Sequence, residues 1–237
     1  MSDTQAPAID IQDLHGRYGP SHVLHGINLR VGSGQVVTML GRNGAGKSTT
    51  MRAITGLLAS RSGSIKIAGT EAIGLTPEKI AHLGVAYCPE ERGIFPSLSV
   101  SENLMLPPVL RPGGLTTQEV LAFFPRLAER GRSPGTTLSG GEQQMLAIAR
   151  ILRTGCRTLL FDEPTEGLAP VIVQQIGSVF EALKQRGYTI LLVEQNLDFI
   201  MSLADHHYVI EHGRVVDQMS NDELSAQPER LEAYLGV

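Results

Sequence analysis

Short apolar runs alternate along the chain with stretches whose apolar residues recur every three or four positions. That alternation predicts an α/β fold, a mostly parallel sheet with helices on its faces. The first clear strand is 35–40. It runs into a glycine-rich turn, 41–46, and then a helix that places Met51, Ile54, Leu57 and Leu58 on one face. Residues 63–68 and 84–88 read as two further strands. After Ser139 a helix puts Met145, Ile148, Ala149 and Leu152 on a buried stripe. Ile172, Ile176, Val179 and Leu183 mark the inner face of another. Residues 158–161 and 189–193 are continuous apolar strands, as a sheet covered on both sides requires. His212-Gly213, between apolar pairs at 208–210 and 215–216, reads as a hairpin turn. A last helix begins near Asp222, with Asn221 as its cap.

The stretch 96–134 breaks this rhythm. It holds Pro96, Pro107, Pro108, Pro112, Pro125 and Pro134, with Gly113 and Gly114 among them. Proline interrupts and starts helices, so a short helical subdomain is expected over about 96–137. It would lie within a single domain, 9–237, that follows a tail, 1–8.

Composition narrows the function classes. Of 237 residues, 42% are hydrophobic and 19% charged, which suffices for a full core and is too little charge for a disordered chain. The formal net charge of -4 disfavours nucleic acid as the main partner. Cys88 and Cys156 form no CxxC pair and suggest a reducing compartment. The first ten residues lack the basic start and apolar core of a signal peptide. No apolar run approaches the roughly 18 residues needed to span a bilayer, so membrane work would require a partner.

Chemistry concentrates in three places. Gly41, Arg42, Asn43, Gly44, Ala45, Gly46, Lys47 and Ser48 match G-x-x-x-x-G-K-[ST], with a strand before and a helix after. Successive backbone N–H groups can cradle phosphate oxygens there, and the helix adds its positive end. Lys47 would reach the outer phosphates and the Ser48 hydroxyl would ligate Mg²⁺. Thr49 follows directly and joins the nucleotide-binding set. A flexible glycine turn with a surface lysine is the bland reading. Second, the 158–161 strand delivers Asp162 and Glu163 at its C-terminal end, where open α/β sheets bind ligands. Asp162 would hold Mg²⁺ and Glu163 would act as general base on the attacking water. Third, Leu138-Ser139-Gly140-Gly141-Glu142-Gln143-Gln144 opens a helix with free N–H groups and a hydroxyl, which suits an anion.

With these three motifs the sequence resembles the ATP-binding cassette (ABC) family, whose signature is LSGGQ or LSGGE. The resemblance implies a P-loop NTPase core with an antiparallel β subdomain and a short helical subdomain. It implies ATP and Mg²⁺ as ligands. It also implies that Ser139, Gly140, Gly141 and Glu142 contact ATP held by a facing cassette. Tyr18, placed before the first strand pair, matches the aromatic that stacks on adenine; a ring packed at a strand edge is the alternative.

Three positions depart from the usual family pattern. Glu90 stands where Gln is usual and would serve Mg²⁺. Gln195 stands where His is usual and is assigned to catalysis with Glu163, although it cannot carry charge or shuttle a proton. Ala169 stands where Asp is usual. Together they resemble the ATPase subunits of branched-chain amino acid importers, in particular the smaller of the two cassettes. Pro89-Glu90, Ile94-Phe95-Pro96, Glu166-Gly167-Leu168-Ala169-Pro170, Val193-Glu194-Gln195-Asn196 and Tyr234-Leu235-Gly236 carry that likeness. Glu91, where Gly is usual, and Gly155-Cys156-Arg157 do not follow it. The resemblance implies permease subunits and a second cassette as partners, in a heterodimer or a homodimer. It implies a solute-binding protein acting indirectly, and a place on the cytoplasmic face of the membrane. Urea or short-amide import, a non-transport ABC ATPase, a nucleotide-dependent binding module and a phosphotransferase are the alternatives. His206 and His207 are expected at a strand entrance rather than on a metal.

Overall fold

A computed structural model describes residues 6–227 together with Glu229, Arg230 and Tyr234. Leu235 and Gly236 of the expected Tyr234-Leu235-Gly236 motif, and most of the 1–8 tail, lie outside these described residues. Two antiparallel strands come first, β1 (Ile9–Tyr18) and β2 (Ser21–Val31), then β3 (Val36–Leu40) and α1 (Lys47–Ile54). There follow β4 (Ser60–Ile67), β5 (Thr70–Glu71), α2 (Pro77–His82) and β6 (Val85–Cys88). The proline-rich stretch forms α3 (Val100–Met105), α4 (Thr117–Phe123) and α5 (Pro125–Glu129), closed by a 3-10 turn at Gly135–Thr137. The remainder is α6 (Gly140–Leu152), β7 (Thr158–Asp162), α7 (Pro170–Gln185), β8 (Thr189–Val193), α8 (Leu197–Met201), β9 (His206–Glu211), β10 (Arg214–Ser220) and α9 (Asn221–Ala226).

The strands form two sheets. One is antiparallel, in the order β2-β1-β4-β5; the other runs β10-β9-β3-β8-β7-β6 and is parallel except for β10. The central strands are buried along their whole length, and successive residues serve opposite faces. Val36 and Leu40 of β3, Ile190 and Leu192 of β8, and Leu159 and Phe161 of β7 join the core beneath α3 to α8. Val37 and Met39, Leu191 and Val193, and Leu160 join a second core with α1 and the antiparallel sheet. The expected hairpin is present: His212 and Gly213 both have positive φ, 47° and 71°, as a two-residue primed turn needs.

Three expectations need correction. Two long strands precede 36–40, and Tyr18 lies inside this first pair, at the end of β1. β1 is interrupted by a register shift between Ile11 and Leu14, with Asp13 at φ 49°, and this breaks the apolar alternation that would have announced the strand. Leu57 lies beyond the end of α1 and is 56% exposed, so it does not share the helix's buried face. The cap of α9 is Ser220, not Asn221: its hydroxyl accepts the Glu223 N–H while Glu223 returns to the Ser220 N–H. His206 and His207 open β9, the strand entrance expected for them, and His207 is buried between Thr38 and Asn221, with burial pushing its imidazole below the usual value.

Candidate nucleotide site

The sheet order builds the site. β3 ends in the phosphate loop, β7 ends at Asp162, and β8 lies between them. At ~5 Å per strand the two outer ends stand roughly 10 Å apart, and whatever follows β8 sits in the gap. That residue pair is Glu194-Gln195. The Gln195 side-chain amide donates to Asn43 Oδ1 on one side and to Glu163 Oε1 on the other, both at 3.0 Å. Gln195 therefore ties the phosphate loop to the second carboxylate.

Within the loop, Gly41 has φ 141°, and a Cβ there would lie 2.1 Å from the Ile210 carbonyl oxygen. The hairpin turn of β9 and β10 braces the loop from outside, with the Gly213 N–H on the Ala45 carbonyl at 2.8 Å. Gly46 caps α1 without a side-chain hydrogen bond, and the first turn holds no acidic residue. The start of α1 thus keeps its positive end and its N–H groups open for an anion. Lys47 is 4% exposed, donates to the Gly41 and Arg42 carbonyls at 2.7 and 3.1 Å, and lies 3.9 Å from Glu163. Burial lowers its ammonium, and Glu163 and Asp162 oppose that. Thr49 is half-buried on α1.

Asp162 is the hub of the second motif. It accepts the Ser48 hydroxyl on Oδ1 and the Tyr87 hydroxyl on Oδ2, each at 3.0 Å. Burial raises its carboxyl, the two hydroxyls pull it down, and Glu163 and Glu90 push it up again. Glu90 is exposed in the loop after β6 and acts on Asp162 through its charge. Glu91 pairs with Arg52 at 3.3 Å, and Arg92 donates to Gln144 of α6 at 3.1 Å. Tyr18 is 43% exposed, and its hydroxyl lies near enough to Arg52 to raise the guanidinium, which places the ring beside α1.

Ser139, Gly140, Gly141 and Glu142 are not brought to this site. They make hydrogen bonds within the helical region, and among the described residues none to the phosphate loop. The expectation of several free donors is also reduced. Ser139 and Glu142 form a capping box, which uses the Ser139 N–H and hydroxyl and the Glu142 N–H. Glu142 is further held by Arg130 at 2.9 Å through both oxygens. The exposed Gly140 and the adjoining Gly141 remain as the open part of this helix start. Ala169 caps α7 without a side-chain bond, so the loss of an Asp there costs a cap as well as a charge.

Sequence reasoning missed four residues at the site. Tyr87 has a signal only in hindsight, an aromatic three residues before Glu90. Thr165 and Glu194 are buried polar residues in loops where polar residues are unremarkable by pattern. Glu166 follows Glu163 closely, and the neighbouring Glu163 carboxylate raises its own carboxyl.

Oxygen donors from Ser48, Asp162 and Glu90 suit a hard cation such as Mg²⁺, which takes one or two carboxylates and completes its shell with phosphates and water. Among the described residues no group of three or more His, Cys, Asp or Glu could hold a metal ion unaided.

Comparison with known proteins extends the picture. A family model described as ABC transporter matches residues 24–166. The chain is 42% identical to the high-affinity branched-chain amino acid transport ATP-binding protein BraG of Pseudomonas aeruginosa, covering 92% of this chain and 95% of that one. It is 30% identical to BraF of the same organism over 97% and 98% of the two chains. A solved ATP binding subunit of an ABC transporter superposes with a TM-score of 0.80 at 30% identity, over 94% of this chain and 93% of that one. A nucleotide-free ATP-binding cassette shares the fold, with a TM-score of 0.83 at 24% identity over 98% and 100%. A family model covering more than half of the sequence, and a relative matched over nearly its whole length, agree with the geometry of the site: the chain belongs to the ABC transporter family.

Proposed function

We propose that this chain binds and hydrolyses ATP to energise an importer of branched-chain or other hydrophobic amino acids. The observation that carries the chemistry is the Gln195 bridge between Asn43 and Glu163, next to Lys47 and Asp162. It presents a carboxylate beside the phosphate cradle at the point where a water would attack. The phosphate-loop N–H groups and Lys47 bind and orient the triphosphate. Glu163 takes the proton from the attacking water, and Gln195 holds the Glu163 carboxylate in line without carrying charge. Ser48, Asp162 and Glu90 would hold Mg²⁺, which when bound supplies charge neutralisation on the phosphates. Tyr18 stacks on the base. Gly140 and Gly141 serve the nucleotide of a facing cassette, as does the Ser139-Glu142 box once it opens.

The solute class rests on the likeness to BraG, and the greater identity to BraG than to BraF supports the smaller-cassette assignment. Among the described residues no helix is long and apolar enough to cross a membrane. The likeness to transporter ATP-binding subunits supports a place at the cytoplasmic face, reached through permease subunits. A groove of about 360 Å³, lined by the exposed Leu57 with Pro107, Leu110, Tyr87, Arg92 and Arg150, offers the permease apolar contacts between cationic walls. The second cassette is a related subunit, and a solute-binding protein acts on the other side of the membrane.

The test is uptake of labelled leucine and labelled urea by vesicles carrying the assembled transporter and internal ATP. Leucine uptake that disappears in Lys47→Ala is expected. Urea uptake without leucine uptake would move the solute class to short amides. Uptake unaffected by Lys47→Ala would overturn the ATPase reading.

A further inference from the structure

Glu194 is the first residue after β8 and is 3% exposed. A buried carboxylate is costly unless its lone pairs meet donors. Here both oxygens are satisfied, each by a different loop. Oε1 accepts the Thr165 N–H at 3.1 Å and the Thr165 hydroxyl. Oε2 accepts the N–H groups of Gln195 at 2.6 Å and Asn196 at 3.0 Å. Thr165 is itself buried and opens the loop that runs from Glu163 to Ala169. Ala169 gives that loop no polar side chain at its far end, which leaves Thr165 as its anchor. On the other side, fixing the Gln195 backbone fixes the amide that reaches Asn43 and Glu163.

We propose that Glu194 is a positioning residue that locks the 163–169 loop to the 194–196 loop, so that Gln195 and Glu163 keep a common register toward the phosphate. The proposal rests on the ATPase reading for its consequence, but not for the clamp itself. It explains why a carboxylate is used. Four donors converge on two oxygens, and an isosteric amide would set its NH₂ against N–H groups that have nowhere to turn.

The clamp is tested on the full chain by amide hydrogen exchange. Thr165→Val keeps the shape and removes the hydroxyl. It is expected to raise exchange at the Gln195 and Asn196 N–H groups roughly tenfold, with Thr165→Ser restoring protection. Faster exchange confined to 165–169 would overturn the clamp. The consequence is tested in the assembled transporter. Glu194→Gln is expected to lower kcat for ATP about tenfold with KM unchanged, and to have no further effect in a Gln195→Ala background. Equal losses with and without Gln195, or a parallel rise in KM, would make Glu194 merely structural. If the unmodified transporter does not turn over ATP, the ATPase reading falls while the exchange result still decides the clamp.

Discussion

At the residue scale, the site depends on a few positions with no tolerance and others with a good deal. Gly41 and Gly44 both lie in the phosphate loop with positive φ, yet their surroundings differ. A methyl on Gly41 meets a backbone carbonyl that cannot withdraw, while one on Gly44 meets nothing within 4 Å. Gly41→Ala is therefore expected to cost more than about 3 kcal/mol in a denaturant titration, and Gly44→Ala about 1–2 kcal/mol of backbone strain alone. Equal costs would mean that the loop is not held by the β9–β10 hairpin. The grouping of Lys47, Ser48, Asp162 and Glu163 was legible because fixed spacing and fixed residue types encode one loop and one strand end. Tyr87 and Glu194 were not, because each works through a single partner distant in sequence, and no local spacing encodes that. Cys88 is buried, and burial pushes its thiol up to about 12, so it is an inert core residue.

At the element scale, the buried central strands were legible from their unbroken apolar runs, and their edges came out within a residue or two. β1 and β2 were not, since a bulge shifts the face that each apolar side chain serves. Helix starts carried a signal that went unread. α3, α4, α6 and α9 all open with Ser or Thr followed three residues later by Glu, and all four form complete capping boxes. The hydroxyl and N–H of Ser99 hold Glu102 below the usual 4.5, and the N–H and hydroxyl of Thr116 and of Ser220 do the same for Glu119 and Glu223. Burial pulls Glu142 up, but the Ser139 donors and Arg130 carry it below that value. A depressed folded value contributes stability that is complete above the unfolded value and is lost as pH falls through the folded one. The melting temperature should hold above about pH 5 and fall once the pH drops below 4.5. Asp162, raised by burial, acts in the opposite sense, so the decisive comparison is with a variant. Thr116→Ala should melt about 2–4 °C lower at pH 7 and lose less on acidification. A parallel decline in both proteins would remove the Thr116 box from the acid response.

At the scale of the whole molecule, one chain carries two glycine-rich helix starts that do not meet. α1 opens on the Asp162-Glu163 pair, while α6 opens in the helical region with Arg130 and Arg92 around it. Under the proposed function a second cassette completes each site, the paired assembly that the family resemblance implied although each motif occurs once. The proline-rich stretch was legible as helical because Pro125 and the turns around Pro107 and Pro112 set short helices; how those helices pack on α6 was not, since that depends on buried contacts far apart in sequence. Purified chain alone should turn over ATP slowly, and adding the partner cassette and permease should raise the rate. The most direct measurement is ATP turnover by the assembled transporter with Glu163 intact and with Glu163→Gln, alongside nucleotide binding. Turnover is predicted to fall at least about 100-fold with binding retained. Turnover that survives the substitution would contradict the assignment of this site.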